Sequence, residues 1–267
     1  SCVLVLLCCG FTLPIPQSLR VVLFDEVRGL CLILMVFYHG MLDLVTSGVD
    51  LTWFFSSVMQ RFLQPAVAGT FIFISGAVSR YSRSNLRRGL AALACAFAVT
   101  VVTFFIMPAT PDLFGILHLL GVCMLLFIPL RPLLDRIRPA AGICLFAVCF
   151  LATYNLPWHV VGMGPLSARL PDTLYSNPYL FWLGLPAPGF VSADYFPLFP
   201  WAFIFFAGAS FGVLAKKKRL PAMFYRGHCA ALSWIGRHSL LIYLAHQPLL
   251  IGLFAIVLPL FGYQVAF

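Results

Sequence analysis

DEVRGLCLILMVFYHGMLDLVTS, residues 25–47, decides the fold. Between Arg28 and His39 it carries no charge, and the whole stretch is too long for a strand. A helix rises about 1.5 Å per residue, so this stretch reaches across a hydrocarbon layer of about 30 Å. Only helices and closed barrels cross a bilayer, because backbone polar groups find no water there. Barrel strands alternate in hydrophobicity over about ten residues. This run does not alternate, so it reads as a spanning helix.

The rest of the chain follows the same rule. Of its 267 residues, 62% are apolar and 9% charged, and the mean hydropathy is +0.99. Soluble domains carry roughly 25% charged residues, which excludes a soluble enzyme. Disordered chains are polar and highly charged, which excludes that class too. The spacing predicts an all-α polytopic membrane helix bundle of about seven transmembrane helices. They fall at about 25–47, 59–79, 89–107, 113–130, 139–155, 194–215 and 231–259. Residues 1–19 form a short apolar leader, read as interfacial with an eighth span as the alternative. Residues 20–267 form one membrane-embedded domain.

The net charge of +9 is distributed as short basic punctuation between apolar runs. That pattern marks topology and points away from nucleic acid. All but two of the 17 Lys and Arg residues fall on one side; Arg61 and Arg169 are the exceptions. The basic side is cytoplasmic, which puts the C-terminus outside. The proline-rich stretch 156–193, with Trp158, Tyr175, Tyr179 and Trp182, lies in the outer loop. It reads either as an interfacial cap or as a lid. The nine cysteines form no CxxC pattern and read as small buried hydrophobes.

Charges inside a bilayer are costly, so each needs a reason. Asp25, Arg28, His39 and Asp43 fall within about 60° of one another on one helix face. His39 lies about 16 Å beyond Arg28, and Asp43 is one turn further. A carboxylate beside an imidazole is a general-base arrangement; the plain alternative is a pair that packs helices together. Arg61 orients a polar substrate, or else snorkels to the interface. His118 and His246 sit on two further spans, and with His39 they suggest a shared pocket. No HExxH or i,i+4 histidine pair is present, so no metal is expected. Arg28 and Arg237 are candidates for binding donor phosphates at a basic inner mouth, with topology marking as the alternative.

Five blocks carry a family resemblance: DEVRGLCLILMVFYHGMLDL (25–44), AGTFIFISGAVSRYSRSNLRR (68–88), FGILHLLGV (114–122), DYFPLFPWAFIFFAGASFG (194–212) and GRHSLLIYLAHQPLL (236–250). In this order they resemble the bacterial relatives of heparan-alpha-glucosaminide N-acetyltransferase, within the wider membrane acyltransferases. The resemblance implies transfer of an acetyl group from cytosolic acetyl-CoA to a sugar or glycan acceptor at the outer face of the bacterial inner membrane. It points to Arg28, His39, Asp43, Arg61, His118, Asp194 and His246. The expected partners are the lipid bilayer, acyl-CoA and the acceptor, with homo-oligomerisation left open. The rival reading is a small-solute or proton-coupled transporter using the same polar stripe.

Overall fold

The computed structural model describes residues 21–51, 53–54 and 62–263. The leader at 1–19 and Arg61 lie outside the described residues. The chain is all-α. Its helices are α1 (Val22–Thr46), α2 (Gln64–Ser79), α3 (Asn85–Ile106), α4 (Ile116–Leu134), α5 (Pro139–Thr153), α6 (Leu198–Lys216), α7 (Ala230–Arg237) and α8 (Ser239–Leu260). A two-residue hairpin, β1 (Val160–Val161) with β2 (Ala168–Arg169), and short 3₁₀ turns fill the segment between α5 and α6.

Six helices among the described residues are long and apolar enough to cross a membrane: α1, α3, α4, α5 with its 3₁₀ extension to Trp158, α6 and α8. α2 is apolar but shorter. The protein is therefore a multi-pass membrane protein. Large apolar side chains face outward along whole helices, as a lipid contact requires. Phe97, Val101, Phe104 and Phe105 do so on α3, and Leu249, Leu253, Ile256 and Leu260 on α8.

The last span departs from the reading of the sequence. A single helix over 231–259 was expected, but the chain breaks at His238. The His238 amide closes α7 onto the Trp234 and Ile235 carbonyls. α7 runs antiparallel to the start of α1. Gly236 abuts the Asp25 carbonyl, and Gly29 abuts that of Leu232. Only glycine permits backbones this close. The apolar run thus divides at His238, with α7 held against α1.

Two compact units result. One holds residues 16–71 and 221–267, and the other holds 72–220. In the first, α1 packs against α7 and α8. Glu26 of α1 caps α7: its carboxylate accepts from the amides of His228 (2.6 Å) and Cys229 (2.8 Å) and from His228 Nδ1 (3.0 Å). A helix begins with unsatisfied N–H groups and a positive dipole end, and the buried carboxylate answers both. In the second unit, α3 packs on α4 and α5 on α6. The later part of α2 lies against α6, where Gly76, Gly208 and Gly212 press on the carbonyls of Phe205, Phe73 and Ala77. Arg80, at the end of α2, is buried. It pairs with Asp135, donates to the Ala209 carbonyl (2.7 Å) and lies over the Phe127 ring. This arginine joins helix ends instead of lining an open basic mouth.

Candidate functional site

In the first unit, α1 and α8 bring His39 and His246 together, with ring centroids 5.0 Å apart. Nδ1 of His246 donates to the Tyr243 carbonyl at 2.5 Å. An imidazole that donates from Nδ1 presents a lone pair at Nε2. Here Nε2 is buried and has no hydrogen-bond partner among the described residues. His246 is thus an oriented histidine with an open acceptor atom, next to a second imidazole. Tyr38 flanks the pair, with its ring 5.9 Å from that of His39.

Asp43 occupies a different place from the one its spacing suggests. Its two oxygens accept from Gln247 Nε2 at 3.1 and 3.0 Å. No hydrogen bond joins it to His39 among the described residues. Gln247 follows His246 on α8, so one turn of that helix supplies both the oriented imidazole and the carboxylate's partner. The shared face of α1 was legible from the 3.6-residue period. The partner was not, because it lies 204 residues away in sequence.

Arg28 and Arg237 lie near the α1–α7 contact of the same unit. Arg28 stands over the Phe71 ring at 6.0 Å. Arg237 is exposed, and its Nε donates to the Ser233 carbonyl at 3.2 Å.

His118 and Asp194 belong to the second unit, at the start of α4. The Gly115 amide donates to His118 Nδ1 at 3.2 Å. That leaves Nε2 as the protonated nitrogen, and it contacts Thr100 Oγ1 at 3.3 Å. Thr100 in turn donates to the Asp112 carbonyl at 2.6 Å. Asp194 Oδ2 accepts from the Ile116 amide at 3.1 Å. Both residues therefore cap α4 and satisfy its first amides. Asp194 arrives there because 192–196 runs parallel to 111–115. Phe196 donates to the Phe114 carbonyl, and Leu113 to Ser192 Oγ.

The same turn gathers a carboxylate pair that the sequence did not single out. A β-carbon on Gly115 would meet Asp194 Oδ2 at 2.7 Å and both oxygens of Asp112 at 2.8 Å. The absent side chain makes room for both acids. Asp112 is buried, and its carboxyl is pushed up to about 7, first by burial and then by the charge of Asp194; the Gly115 amide pulls weakly the other way. Burial likewise raises the neighbouring Tyr195 phenol. Two close carboxylates share a proton more readily than both ionise.

Among the described residues, no group of three or more His, Cys, Asp or Glu side chains is arranged to hold a metal ion.

A family model described as heparan-alpha-glucosaminide N-acetyltransferase, catalytic, matches residues 20–248. Comparison with curated proteins and with solved structures finds no match.

Proposed function

Since the chain belongs to the heparan-alpha-glucosaminide N-acetyltransferase catalytic family, of membrane acetyltransferase type, we propose that it carries an acetyl group from cytosolic acetyl-CoA to a sugar or glycan acceptor at the far face of the bacterial inner membrane. The basic residues would face the cytoplasm and the C-terminus the outside.

The observation that carries this reading is His246, whose Nδ1 is held by the Tyr243 carbonyl while Nε2 stays buried and open. A general base needs a fixed tautomer and a free lone pair. In the proposed step the acceptor's hydroxyl or amine gives its proton to His246 Nε2. Its oxygen or nitrogen attacks the thioester carbonyl carbon. The C–S bond breaks with its electron pair on sulfur, and the imidazolium proton returns to give the free thiol. His39, at 5.0 Å, lines the same space. Asp43 is held by Gln247, the residue that follows His246 on α8. Arg28 and Arg237 bind the donor's phosphates, and Arg61 meets the acceptor. His118 and Asp194 hold the first turn of α4 within the second unit.

The test is acetyl transfer from radiolabelled acetyl-CoA to glucosamine by wild type and by His246→Gln of equal thermal stability. The expected loss is about 10²–10⁴-fold, the usual size of a general-base contribution. Equal rates would remove His246 from the chemistry. Solute uptake by a wild type that makes no acetylated product would support a transporter instead.

A further inference from the structure

One end of the second unit gathers cations that the fold leaves without counter-ions. The stretches 80–88, 131–138 and 216–219 hold a single acid, Asp135. That acid is already engaged by Arg80 and Arg131. Arg80 also brings the stretches together. It leaves the end of α2, pairs with Asp135 at the end of α4 and donates to the Ala209 carbonyl of α6. α5 closes the group, because Gly142, four residues after Arg138, abuts Ser210 Oγ of α6. Arg83, Arg87, Arg136, Arg138 and the run Lys216, Lys217, Lys218, Arg219 are exposed at this end. Among the described residues none of them makes an ion pair.

Marking a membrane side needs only the number of such residues in a loop. One of them, however, is held in an unfavourable backbone. α6 ends in a Schellman turn: the Arg219 amide donates to the Leu214 carbonyl at 3.0 Å, and the Lys218 amide to that of Ala215 at 3.1 Å. This turn needs a left-handed residue before Arg219, and Lys218 supplies it with φ 54. Glycine is the usual occupant, because a β-carbon is disfavoured there. Lys216 and Lys217 already meet the negative end of the helix dipole, so the dipole does not account for a third lysine at the strained position.

Apolar surface adjoins these cations. Leu86 and Leu90 bracket Arg87 on α3, and Leu133 lies between Arg131 and Arg136 at the end of α4. All three leucines are exposed. A cationic rim beside an apolar wall fits a molecule with an anionic head and hydrocarbon tails. A free phosphate would use the rim and leave the wall bare.

We propose that this end of the second unit binds the headgroup of an anionic phospholipid, with the acyl chains along Leu86, Leu90 and Leu133. Basic clusters beside membrane spans attract such headgroups electrostatically. None of these residues has a part in the transfer step.

The test uses full-length protein, delipidated in detergent and titrated with phosphatidylglycerol or with phosphatidylcholine of the same chains. Native mass spectrometry counts the lipids retained. Wild type should prefer phosphatidylglycerol, and the preference should fall as salt rises. Lys218→Gly removes one charge and supplies the residue the turn favours, so it should melt at or above wild type. Its preference should fall about 5-fold, the size of one Lys or Arg attraction to an anionic surface. Adding Lys216→Gln and Lys217→Gln should lower it further. Arg169→Gln, at an exposed position outside the patch, should leave it unchanged. Equal retention of the two lipids by wild type overturns the proposal. So does an unaltered preference in the folded lysine variants, which would return these residues to topology marking. Release of phosphatidylglycerol by an equal concentration of inorganic phosphate or coenzyme A also overturns it, since the patch would then be a mouth for soluble phosphates. Should the triple variant fail to insert, Lys218→Gly and the wild-type comparison still decide.

Discussion

Single residues show most directly how a buried polar group is given a task. His118 and His246 are both intramembrane histidines by spacing, yet their nitrogens are used in opposite ways. His118 spends Nδ1 on the Gly115 amide and Nε2 on Thr100, so both ring atoms serve a helix cap. His246, among the described residues, uses Nδ1 alone. Asp112 gives the pH-dependent counterpart. Its folded pKa is raised from 3.8 to about 7. Between those values the native protein holds a proton that the unfolded chain has released, so stability falls as pH rises across that window. Asp112→Asn should flatten this slope and melt above wild type at about pH 8. Thermal denaturation of detergent-purified protein across that range checks it, and an unaltered slope in the variant would show that Asp112 does not carry the proton.

At the scale of elements, association rests on glycine. In a bilayer, lipid tails are as apolar as side chains, so helices gain by close contact more than by hydrophobic burial. Gly208 abuts the Phe73 carbonyl, and Gly76 that of Phe205. Gly208→Val should force α2 and α6 apart, at a cost of about 1–3 kcal/mol, the range for overpacked cores. Gly252, which has open space around its missing β-carbon, should accept alanine with little change. Melting temperatures of the two variants side by side read the difference. Comparable values would mean that the α2–α6 contact is not tight in the membrane.

For the molecule as a whole, the orientation expected from the basic loops is open to direct test. Arg80 and Asp135 meet at one end of α4, and Asp112 and Asp194 at the other. Cysteine labelling in intact cells should reach Lys217→Cys only from the cytoplasm and Leu166→Cys only from outside. Outside labelling of Lys217→Cys would reverse the orientation.

The sequence by itself determined the class of this protein. Runs of apolar residues of membrane length admit only helices, a local property that needs no knowledge of the fold. The polar face of α1, with Arg28, His39 and Asp43, was legible for the same reason, since one helix's period sets which residues share a face. Tertiary structure alone decided the partners. Asp43 meets Gln247 in place of His39, Glu26 caps α7, and Asp194 reaches the first turn of α4 from 78 residues away. The apolar run 231–259 divides at His238, with α7 held against α1, which its hydropathy does not record. A hydrogen bond depends on where two atoms meet in space, and periodicity specifies only one of the two surfaces.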